Sequence, residues 1–454
     1  MTLLALDLGT TRIKGALADE AGRLVKVAAV DAPPLTQVGS SVTGDAFTYV
    51  MATMDLMAEL SADRPSPSSL AIACQRSSFL LMEGRRARPV TPLISWQDRS
   101  AAAWCDRHRD RAAEITATTG LPLSPHYAGP KLAALLEREP GLRRRLAAGK
   151  LTFGTVETLF LRVLSGGRVH RTDLTQASRT LLVDLGTGNW SPPLLDAFGI
   201  PVACLPEIGA TVGVDLPLSG GLHLAASIAD QAAACLALLG GDETATVVNL
   251  GTGGFVLHPT GTTPAHLPGY LTTPLLGEAG RTLYAIEGTI NGAGPALDRY
   301  GSPPTDLPAI DPAPDAFCLP DLAGVGAPHW RADLGLTLSP AAEALDAAGR
   351  RRVVLEGLLF RVAEILTAIA PPDGRIVVGG GATRDPAVAT GLAALLDRPV
   401  AVATEPEATL TGVVRLVAPP PLPPPATRTV APNEAGAYLA EKYPRWQRWV
   451  TGIL

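Results

Sequence analysis

The chain contains the same short pattern twice. Residues 4–14 read L-A-L-D-L-G-T-T-R-I-K, and residues 246–257 read T-V-V-N-L-G-T-G-G-F-V-L. In each copy a β-rich run stops at Leu-Gly-Thr and a second apolar run follows at once, which predicts a strand, a tight turn and a second strand. Glycine lets such a turn approach an anion closely, and Thr hydroxyl and backbone N–H groups bind phosphate. A single copy would indicate an ordinary hairpin. The duplication predicts two related halves with a polyphosphate between them.

Composition narrows the class of partner. With 454 residues, the chain is long enough for two domains of roughly 200 residues each. The formal net charge of -5, from 38 Lys and Arg against 43 Asp and Glu, offers no excess of cations for a nucleic acid or an anionic membrane. A small-molecule partner is favoured. The arginine runs at 143–145 and 350–352 are predicted to be solvated helix faces.

The N-terminal residues and the cysteines bear on the location of the protein and the state of its thiols. The start M-T-L-L-A-L-D-L-G has no basic leader, and no run of 18 apolar residues occurs, so we expect a soluble, cytoplasmic protein. The five cysteines form no C-x-x-C pair and are odd in number, which predicts reduced, buried thiols rather than disulfides or a zinc site. The seven histidines are dispersed.

The first half is predicted to be an α/β layer. Strands are expected at Leu3–Asp7, Arg12–Ala18, Leu24–Val30, Leu70–Cys74 and Leu93–Trp96, with a helix over Phe47–Leu60. A helix over Asp230–Leu239 is expected to end at Gly240 and Gly241, and we place the junction of the two domains, residues 1–235 and 236–454, within it.

The second half has a third glycine-rich turn. A core helix, Arg351–Ala370, precedes a strand, Arg375–Val378, that runs into Gly379-Gly380-Gly381. A helix from Pro386 is expected to present its N–H groups at that turn, although the glycines could equally serve close packing of helix on strand. Residues 300–314 and the proline run 418–425 are predicted to be a loop and a linker, and the aromatic residues of a last helix, Ala435–Trp449, to be docking anchors.

These segments together resemble one known family. The two Leu-Gly-Thr hairpins, I-A-D-Q-A-A at 228–233, A-G-V-G-A-P-H-W at 323–330, G-G-G-A-T-R-D at 379–385 and V-H-R-T-D-L-T-Q-A-S-R-T-L-L at 169–182 are similar to motifs of the FGGY carbohydrate kinases. The likeness runs in order from about Leu3 to Leu416. The run T-G-L-P-L-S-P-H-Y-A-G-P-K-L at 119–132, with Gln75-Arg76, is most similar to the glycerol-kinase branch.

The resemblance implies a fold and a reaction. It implies two ribonuclease-H-like, actin-like ATPase domains with a central ligand cleft, in which ATP phosphorylates a hydroxyl of a small sugar or polyol. Asp230 matches the family's catalytic base and Asp7 the carboxylate that holds Mg²⁺ through water. Asp230 at a helix start is expected to stay ionised through the helix dipole. Taken alone, Asp230 would be a helix cap and Asp7 a turn residue.

The other site residues implied by the resemblance fall into three groups. The phosphate-contacting positions are Gly9, Thr10, Thr11, Gly251, Thr252 and Gly253, with Lys14 as a nearby cation or a solvated strand lysine. The nucleotide side is Gly294, Asp298, Gly380, Gly381, Ala382 and Asp385. The acceptor side is Arg76, Ser77, Trp96, Asp98, His126 and Gln231, among which Trp96 could be core and His126 an ordinary loop residue.

Several positions depart from the family pattern. Where glycerol kinases have Arg-Glu after Gln, this chain has Arg76-Ser77, and His126 replaces a Tyr. Ala229 replaces the Gly before the base, Gly379 replaces an Asp, and the loop at 300–314 is shorter than in the family. We therefore expect an active kinase whose preferred acceptor has four or more carbons. Acceptor identity and homodimer formation are left open.

Three alternative functions are considered, of which two remain open and the third is disfavoured. A glycerol kinase proper, or a ketopentose or polyol kinase, shares the chemistry. A catalytically weak sugar-binding sensor on the kinase fold is the alternative of a different class. An Hsp70-like or actin-like ATPase is disfavoured, because neither a peptide-binding domain nor a filament surface is evident in the sequence.

Overall fold

Two central β-sheets organise the molecule. The computed structural model describes residues 3–62, 67–278, 280–301, 307–418 and 424–454. The first sheet, here the N-sheet, has six strands in the spatial order Val212–Pro217, His223–Ala229, Ser69–Cys74, Leu3–Leu8, Arg12–Ala18, Leu24–Asp31. The second, the C-sheet, has seven in the order Leu271–Glu278, Arg281–Ile290, Gly254–Gly261, Thr246–Leu250, Ile376–Gly379, Val400–Ala403, Thr427–Val430.

The two sheets share one topology around their first strand. Leu3–Leu8 pairs antiparallel with Arg12–Ala18 and parallel with Ser69–Cys74. Thr246–Leu250 likewise pairs antiparallel with Gly254–Gly261 and parallel with Ile376–Gly379. Both predicted hairpins are therefore confirmed, and each opens the corresponding sheet. Ligands of open α/β sheets bind beyond the carboxyl ends of such strands, which is where both Leu-Gly-Thr turns lie.

Helices cover the sheets and form the layers around them. The α-helices of the described residues are Ala46–Ser61, Ala102–Arg107, Ala112–Thr119, Ala128–Arg138, Pro140–Ala147, Val156–Leu164, Leu174–Ala177, Pro192–Phe198, Asp230–Leu239, Ala293–Asp298, Pro340–Glu343, Ala347–Ile369, Pro386–Leu396, Ala408–Val417 and Gly436–Ile453. Short 3₁₀ turns occupy Arg109–Arg111, Ser178–Thr180, Val202–Cys204, Ser219–Gly221 and Gly381–Arg384. Among these residues no helix is long and apolar enough to cross a membrane.

The first half carries a further sheet beside the N-sheet. Its strands are Thr36–Val38, Ser41–Gly44, Phe79–Glu83, Arg88–Pro89, Leu93–Ile94 and Leu151–Thr155. Three two-stranded ladders are Arg171–Asp173 with Glu207–Gly209, Val183–Asp184 with Asn189–Trp190, and Cys318–Leu319 with Thr337–Leu338. The sheet beginning at Thr36 brings Trp96, which follows Leu93–Ile94, next to the first Leu-Gly-Thr turn.

One hydrophobic core lies between the two sheets. It contains small and branched residues from both, including Ala5 and Ala226 of the N-sheet and Val247 and Val377 of the C-sheet. The helices Asp230–Leu239 and Ala408–Val417 pack against each other within it, and a Cβ on Gly412 would lie 2.0 Å from the Ala233 carbonyl oxygen. Small residues thus allow these helices to approach closely. The predicted boundary at 235/236 falls inside the first helix.

Most predicted elements are confirmed. The helix Asp230–Leu239 has the predicted bounds and ends at Gly240 with φ 59°. All five cysteines are free and buried. Tyr438 and Trp446 of the last helix are buried against the C-terminal core, as docking anchors should be. The central parts of the predicted loop, residues 302–306, and of the linker, residues 419–423, lie outside the described residues.

Two predictions are corrected. The run at 350–352 is not a solvated face, because Arg351 is 3% exposed and donates to Gly301 O and Asp385 Oδ2 at 2.9 Å each. Arg361 of the same helix is also buried, and buried acceptors compensate both charges. Arg350 and Arg352 are half-buried. The predicted strand Leu93–Trp96 stops at Ile94.

Candidate active site

Glycines allow close backbone approaches in the first Leu-Gly-Thr turn and beside the second. A Cβ on Gly9 would lie 2.6 Å from the carbonyl oxygen of Arg12, across the hairpin. In the second turn, the N–H of Gly294 donates to the Gly251 carbonyl at 3.0 Å. A Cβ on Gly294 would lie 2.6 Å from that oxygen. Gly294, which the sequence assigned to the nucleotide side, is thus in direct contact with the second turn. The side chains of Thr11 and Thr252 are exposed at the two turns.

Hydrogen bonds connect the first turn to the acceptor side. The indole Nε1 of Trp96 donates to Thr10 Oγ1 at 2.8 Å, and Thr10 Oγ1 donates to Gln75 Oε1 at 3.1 Å. Gln75 Nε2 donates to the Gly9 carbonyl at 3.2 Å. These bonds use the Thr10 side chain to hold the turn in place. Gln75 was not singled out as a site residue, although it precedes Arg76.

Asp7 lies at the end of the first strand with an uncommitted carboxylate. Among the described residues it has no hydrogen-bond or ion-pair partner. Burial, with repulsion from Asp230, raises the pKa of Asp7 to about 7. Across the hairpin, Lys14 forms an ion pair of 2.7 Å with Glu407 of the C-terminal half. Lys14 is therefore a cation near the first turn rather than a solvated strand lysine.

A metal that binds here would be held by few protein ligands. The described residues contain no group of three or more His, Cys, Asp or Glu side chains placed to hold a metal ion. Mg²⁺ typically binds through one or two carboxylates, water and substrate phosphates. The free carboxylate of Asp7 fits that pattern, because a divalent cation would offset the repulsion that raises its pKa.

Asp230 is the first residue of its helix. The N-cap is Ala229, so the alternative in which Asp230 is the cap does not hold. Its Oδ1 accepts the N–H of Gln231 at 2.8 Å, and its side chain is 35% exposed, which leaves the carboxylate accessible. Burial raises the pKa of Asp230, and Arg76 opposes this. Desolvation thus opposes the effect expected from the helix dipole.

A buried polar network supports the strand that leads to Asp230. Thr175 Oγ1 accepts the N–H of Ala229 at 2.8 Å and donates to the carboxylate of Asp173. Asp173 also accepts from Thr211 Oγ1 at 2.7 Å. The Thr211 hydroxyl in turn accepts the N–H of Gly277, in the C-sheet, at 2.9 Å. The network thus fixes the strand end before Asp230 and connects both halves.

Two arginines and one glutamate surround the acceptor side. Arg76 lies 3.8 Å from Asp230 Oδ1 and 4.0 Å from Glu287 Oε2. Arg179 pairs directly with Glu287 and donates to Thr273 Oγ1 at 2.7 Å. Glu287 is fully buried. The sequence did not identify Arg179 or Glu287, because a buried ion pair between residues 108 apart leaves no local pattern.

Unpartnered polar atoms point to a ligand at this place. Both amide atoms of the Gln231 side chain and Glu287 Oε1 are buried without a hydrogen bond of ordinary length among the described residues. Against the effect of burial, Arg179 and Arg76 lower the pKa of Glu287, and the Gln231 side chain is nevertheless near enough to help them. Buried polar groups are normally paired, so such atoms are available to hydroxyl groups of a substrate. Arg76, Asp230 and Gln231 are therefore brought together as the sequence predicted.

Ser77 and His126 complete this side. Ser77 is 1% exposed, has a φ of 62°, and donates its hydroxyl to the Arg179 carbonyl at 2.9 Å. The His126 ring lies 5.6 Å from that of Trp96 and 5.1 Å from that of Tyr127. Burial lowers the pKa of His126 well below its usual range, and Lys131 and other nearby cations lower it further. His126 is therefore a neutral ring that packs beside Trp96 with the two ring planes tilted by 56°.

Two predicted site carboxylates are instead used by the fold. Asp98 was expected to face the acceptor, but it is 1% exposed and accepts from Val42 N at 2.8 Å and Ser100 N at 2.9 Å. Asp385 was expected at the nucleotide side, but it caps the helix Pro386–Leu396 and pairs with Arg351. The N–H groups of that helix therefore do not face the glycine turn freely.

In the third glycine-rich turn, two glycines pack closely against other elements and the third is exposed. A Cβ on Gly379 would lie 2.9 Å from a Leu238 methyl carbon, and one on Gly380, whose φ is 92°, would lie 2.4 Å from the Leu250 carbonyl oxygen. These two glycines serve close packing, which was the alternative explanation. Gly381 has open space around its Cα and starts the turn that contains the half-buried Ala382. Asp298 is exposed at the end of Ala293–Asp298.

The fold and site define a class. Two sheets of matching topology each carry a Leu-Gly-Thr turn after their first strand, and a carboxylate, Asp230, lies at a helix start beside Arg76. The chain belongs to the FGGY family of carbohydrate kinases, since residues 2–214 match the family's N-terminal domain and residues 246–418 its C-terminal domain. It is an ATP-dependent phosphotransferase that acts on an alcohol group of a sugar or polyol.

Relatives and solved structures agree with this assignment. The glycerol kinase of Alkalilimnicola ehrlichii is 34% identical over 444 residues, covering 92% of this chain and 89% of the relative. That of Thermus brockianus is 36% identical over 400 residues, covering 82% and 79%. The structure of Plasmodium falciparum glycerol kinase with ADP has a TM-score of 0.86, and that of ligand-bound xylulose kinase from Lactobacillus acidophilus has 0.85. Each is 20% identical and covers 100% of this chain and 98% of its own, so the likeness shows the fold.

Proposed function

We propose that the chain transfers the γ-phosphoryl group of Mg-ATP to a hydroxyl of a polyol or sugar with four or more carbons. The proposal places the nucleotide between two domains, residues 1–235 and 236–454. Asp230 is the base. The observation that carries this is the position of Asp230, at a helix start, 3.8 Å from Arg76 and beside the buried amide of Gln231.

The reaction requires one proton acceptor and several charge-stabilising groups. The acceptor oxygen forms a bond to the γ-phosphorus as the bond to the bridging β,γ-oxygen breaks, and the hydroxyl proton passes to Asp230. The phosphates are placed at the turns that contain Thr10, Thr11, Gly251 and Thr252, whose hydroxyl and backbone groups are of the kind that bind phosphate. Lys14, which pairs with Glu407 in the structure, would exchange that partner for a phosphate oxygen. Bound Mg²⁺ would be held by Asp7 through water and would neutralise phosphate charge.

Ser77 bears on the size of the acceptor. The glycerol-kinase pattern has a carboxylate at this position, which grips two hydroxyls, and Ser77 is shorter and already donates to the Arg179 carbonyl. Glycerol would therefore lose its charged acceptors. A longer acceptor can fill the vacated volume and reach Arg76 and Gln231.

A second candidate is glycerol kinase proper. It is favoured by the relatives, which are named glycerol kinases and cover most of this chain. The same assay separates the two candidates: ADP release measured over glycerol, erythritol, pentitols, ketopentoses and ketohexoses. We expect kcat/KM for the best acceptor of four or more carbons to exceed that for glycerol at least about tenfold, equivalent to roughly 1.4 kcal/mol. Glycerol as best substrate, with sub-millimolar KM, would establish the second candidate.

The proposal extends to the location of the enzyme and to its oligomeric state. We place the enzyme in the cytoplasm, which five reduced cysteines support. A homodimer stays a prediction that sedimentation of the full chain tests. If ATP and sugar bind but no acceptor is phosphorylated, the chain is a sensor on the kinase fold.

A further inference from the structure

An ion pair beside the first Leu-Gly-Thr turn joins the two halves of the chain. Nζ of Lys14, on the strand Arg12–Ala18 of the N-sheet, lies 2.7 Å from Oε2 of Glu407. Glu407 immediately precedes the helix Ala408–Val417 of the C-terminal half. The two side chains are 30% and 27% exposed, so solvent and salt screen this pair only in part. Lys14 therefore has a carboxylate partner that the N-terminal half does not supply.

A second carboxylate lies beside Lys14 within its own sheet. In the hairpin that opens the N-sheet, Asp7 is directly opposite Lys14. Opposite residues of an antiparallel pair point to the same face, with Cβ atoms about 4.5–5.5 Å apart. The flexible stem of a lysine can reach such a neighbour. Lys14 nevertheless pairs with Glu407, while Asp7 has no ion-pair partner in the part of the chain that the structure describes.

The charges around Asp7 confirm that both groups are near it. Burial and repulsion from Asp230 raise the pKa of the Asp7 carboxyl, whereas Lys14 lowers it and Glu407 raises it. Lys14 is thus within electrostatic range of two carboxylates and makes a direct contact with one of them. The partner that Lys14 takes decides whether the Asp7 carboxylate is open to another cation.

The choice of partner matters for a metal ion. Mg²⁺ usually binds proteins through only one or two carboxylates, together with water and substrate phosphates. An ammonium group in contact with Asp7 would neutralise that carboxylate and repel a divalent cation from it. While Glu407 holds Lys14, the Asp7 carboxylate keeps its charge for a cation.

We propose that Glu407 is a positioning residue that holds Lys14 away from Asp7 and so keeps the Asp7 carboxylate free for the cation of Mg-ATP. This inference rests on the proposed function, since it takes Mg-ATP to bind at these turns. Glu407 contacts neither the acceptor nor the reacting atoms and acts through Lys14. When the phosphates bind, Lys14 exchanges Glu407 for a phosphate oxygen, which again keeps it away from Asp7. Bonds to the γ-phosphorus form and break as already described.

The test measures binding without catalysis in the full-length chain. Isothermal titration gives the Kd for ATP with excess Mg²⁺ and with EDTA, without acceptor, and the ratio of the two is the metal gain. Glu407→Gln releases Lys14 toward Asp7, so the metal gain should fall at least about fivefold. In Glu407→Gln combined with Lys14→Gln no ammonium group can approach Asp7. The metal gain of this double variant should agree within about twofold with that of Lys14→Gln alone and exceed that of Glu407→Gln.

Glu405→Gln is the matched control. It removes the same charge two residues away and keeps an oxygen for the N–H of Glu407, which Glu405 Oε1 accepts at 3.2 Å. Its metal gain should equal that of the parent. If Glu407→Gln does not fold, Glu407→Met, of similar length and without charge, takes its place.

The other outcomes separate the competing explanations. If Glu407→Gln tightens ATP equally with and without Mg²⁺, Glu407 only competes with the nucleotide for Lys14, and the inference is overturned. If it weakens ATP equally in both conditions and Lys14→Gln does not restore the metal gain, Glu407 has a merely structural role, which also overturns the inference. Both results leave the proposed function intact. A parent chain that binds no ATP, or binds it without any effect of Mg²⁺, would remove the proposed function and the inference together.

Discussion

Thr175 Oγ1 accepts a hydrogen bond of 2.8 Å from the backbone N–H of Ala229, the residue before the proposed base. Because Thr175 also donates to Asp173, its hydroxyl is held from both sides in a buried setting. The position of Asp230 thus depends on a side chain more than fifty residues away in sequence, within the stretch T-D-L-T-Q-A-S.

Thr175→Val should lower kcat at least about tenfold. The change leaves the buried N–H of Ala229 unpaired, at a cost of about 1–3 kcal/mol that a shift of the strand end would relieve. Since Asp230 would move with that strand, catalysis suffers more than acceptor binding. Thr175→Ser keeps the hydroxyl and should restore kcat. A loss of thermal stability with kcat unchanged in the folded fraction would reduce Thr175 to a structural role.

Asp230→Asn should leave ATP binding nearly intact and lower turnover by about 10² or more, as expected for general base catalysis. The amide keeps the shape of the carboxylate and cannot take the proton. ADP release in the presence of saturating acceptor measures turnover, and isothermal titration with ATP checks binding. Turnover within about threefold of the parent would refute the assignment.

Affinity for Mg-ATP should fall as the pH drops from 8 to 6. The pKa of Asp7 is raised to about 7, so its ionised fraction, the form that holds a cation, falls about tenfold over this range. Thermal shifts with Mg-ATP at both pH values measure the change. Asp7→Asn carries no titrating group there and should abolish the difference between the two pH values. An affinity that is flat in the parent would show that Asp7 does not hold the cation.

Stability should decline as the pH rises from about 4.5 to 7, through the contribution of Glu157. Burial, with repulsion from Asp173, raises the pKa of Glu157 to about 7 in the folded chain. The folded state therefore binds the proton more tightly than the unfolded state, so this stabilising contribution is full below the unfolded pKa and lost as the pH approaches 7. Thr172 and Ser227 donate to the Glu157 carboxylate. In Glu157→Gln the Tm should depend less on pH, and an unchanged pH slope would contradict this account.

Local sequence patterns were sufficient to predict most of the helices and strands that were proposed. The alternation and turn residues of the two hairpins, and the glycine after Leu239, act through neighbouring backbone, so the strands and the helix Asp230–Leu239 were predicted closely. Motif resemblance then led to Asp7, Arg76, Asp230 and Gln231. These residues remain predictions as to role, but the fold does bring Arg76, Asp230 and Gln231 to one place.

Only the tertiary structure determined which charged side chains are free to contact a ligand. In the sequence, nothing distinguishes Asp98 and Asp385 from Asp7 and Asp230 as candidate site carboxylates. In the structure, however, Asp98 accepts from backbone N–H groups and Asp385 pairs with an arginine. Lys14 meets Glu407 across 393 residues, and Arg179 meets Glu287 across 108. A carboxylate's availability depends on desolvation and on partners that the fold brings from distant parts of the chain. Sequence periodicity records which face of an element is apolar, but not which buried charge will face which.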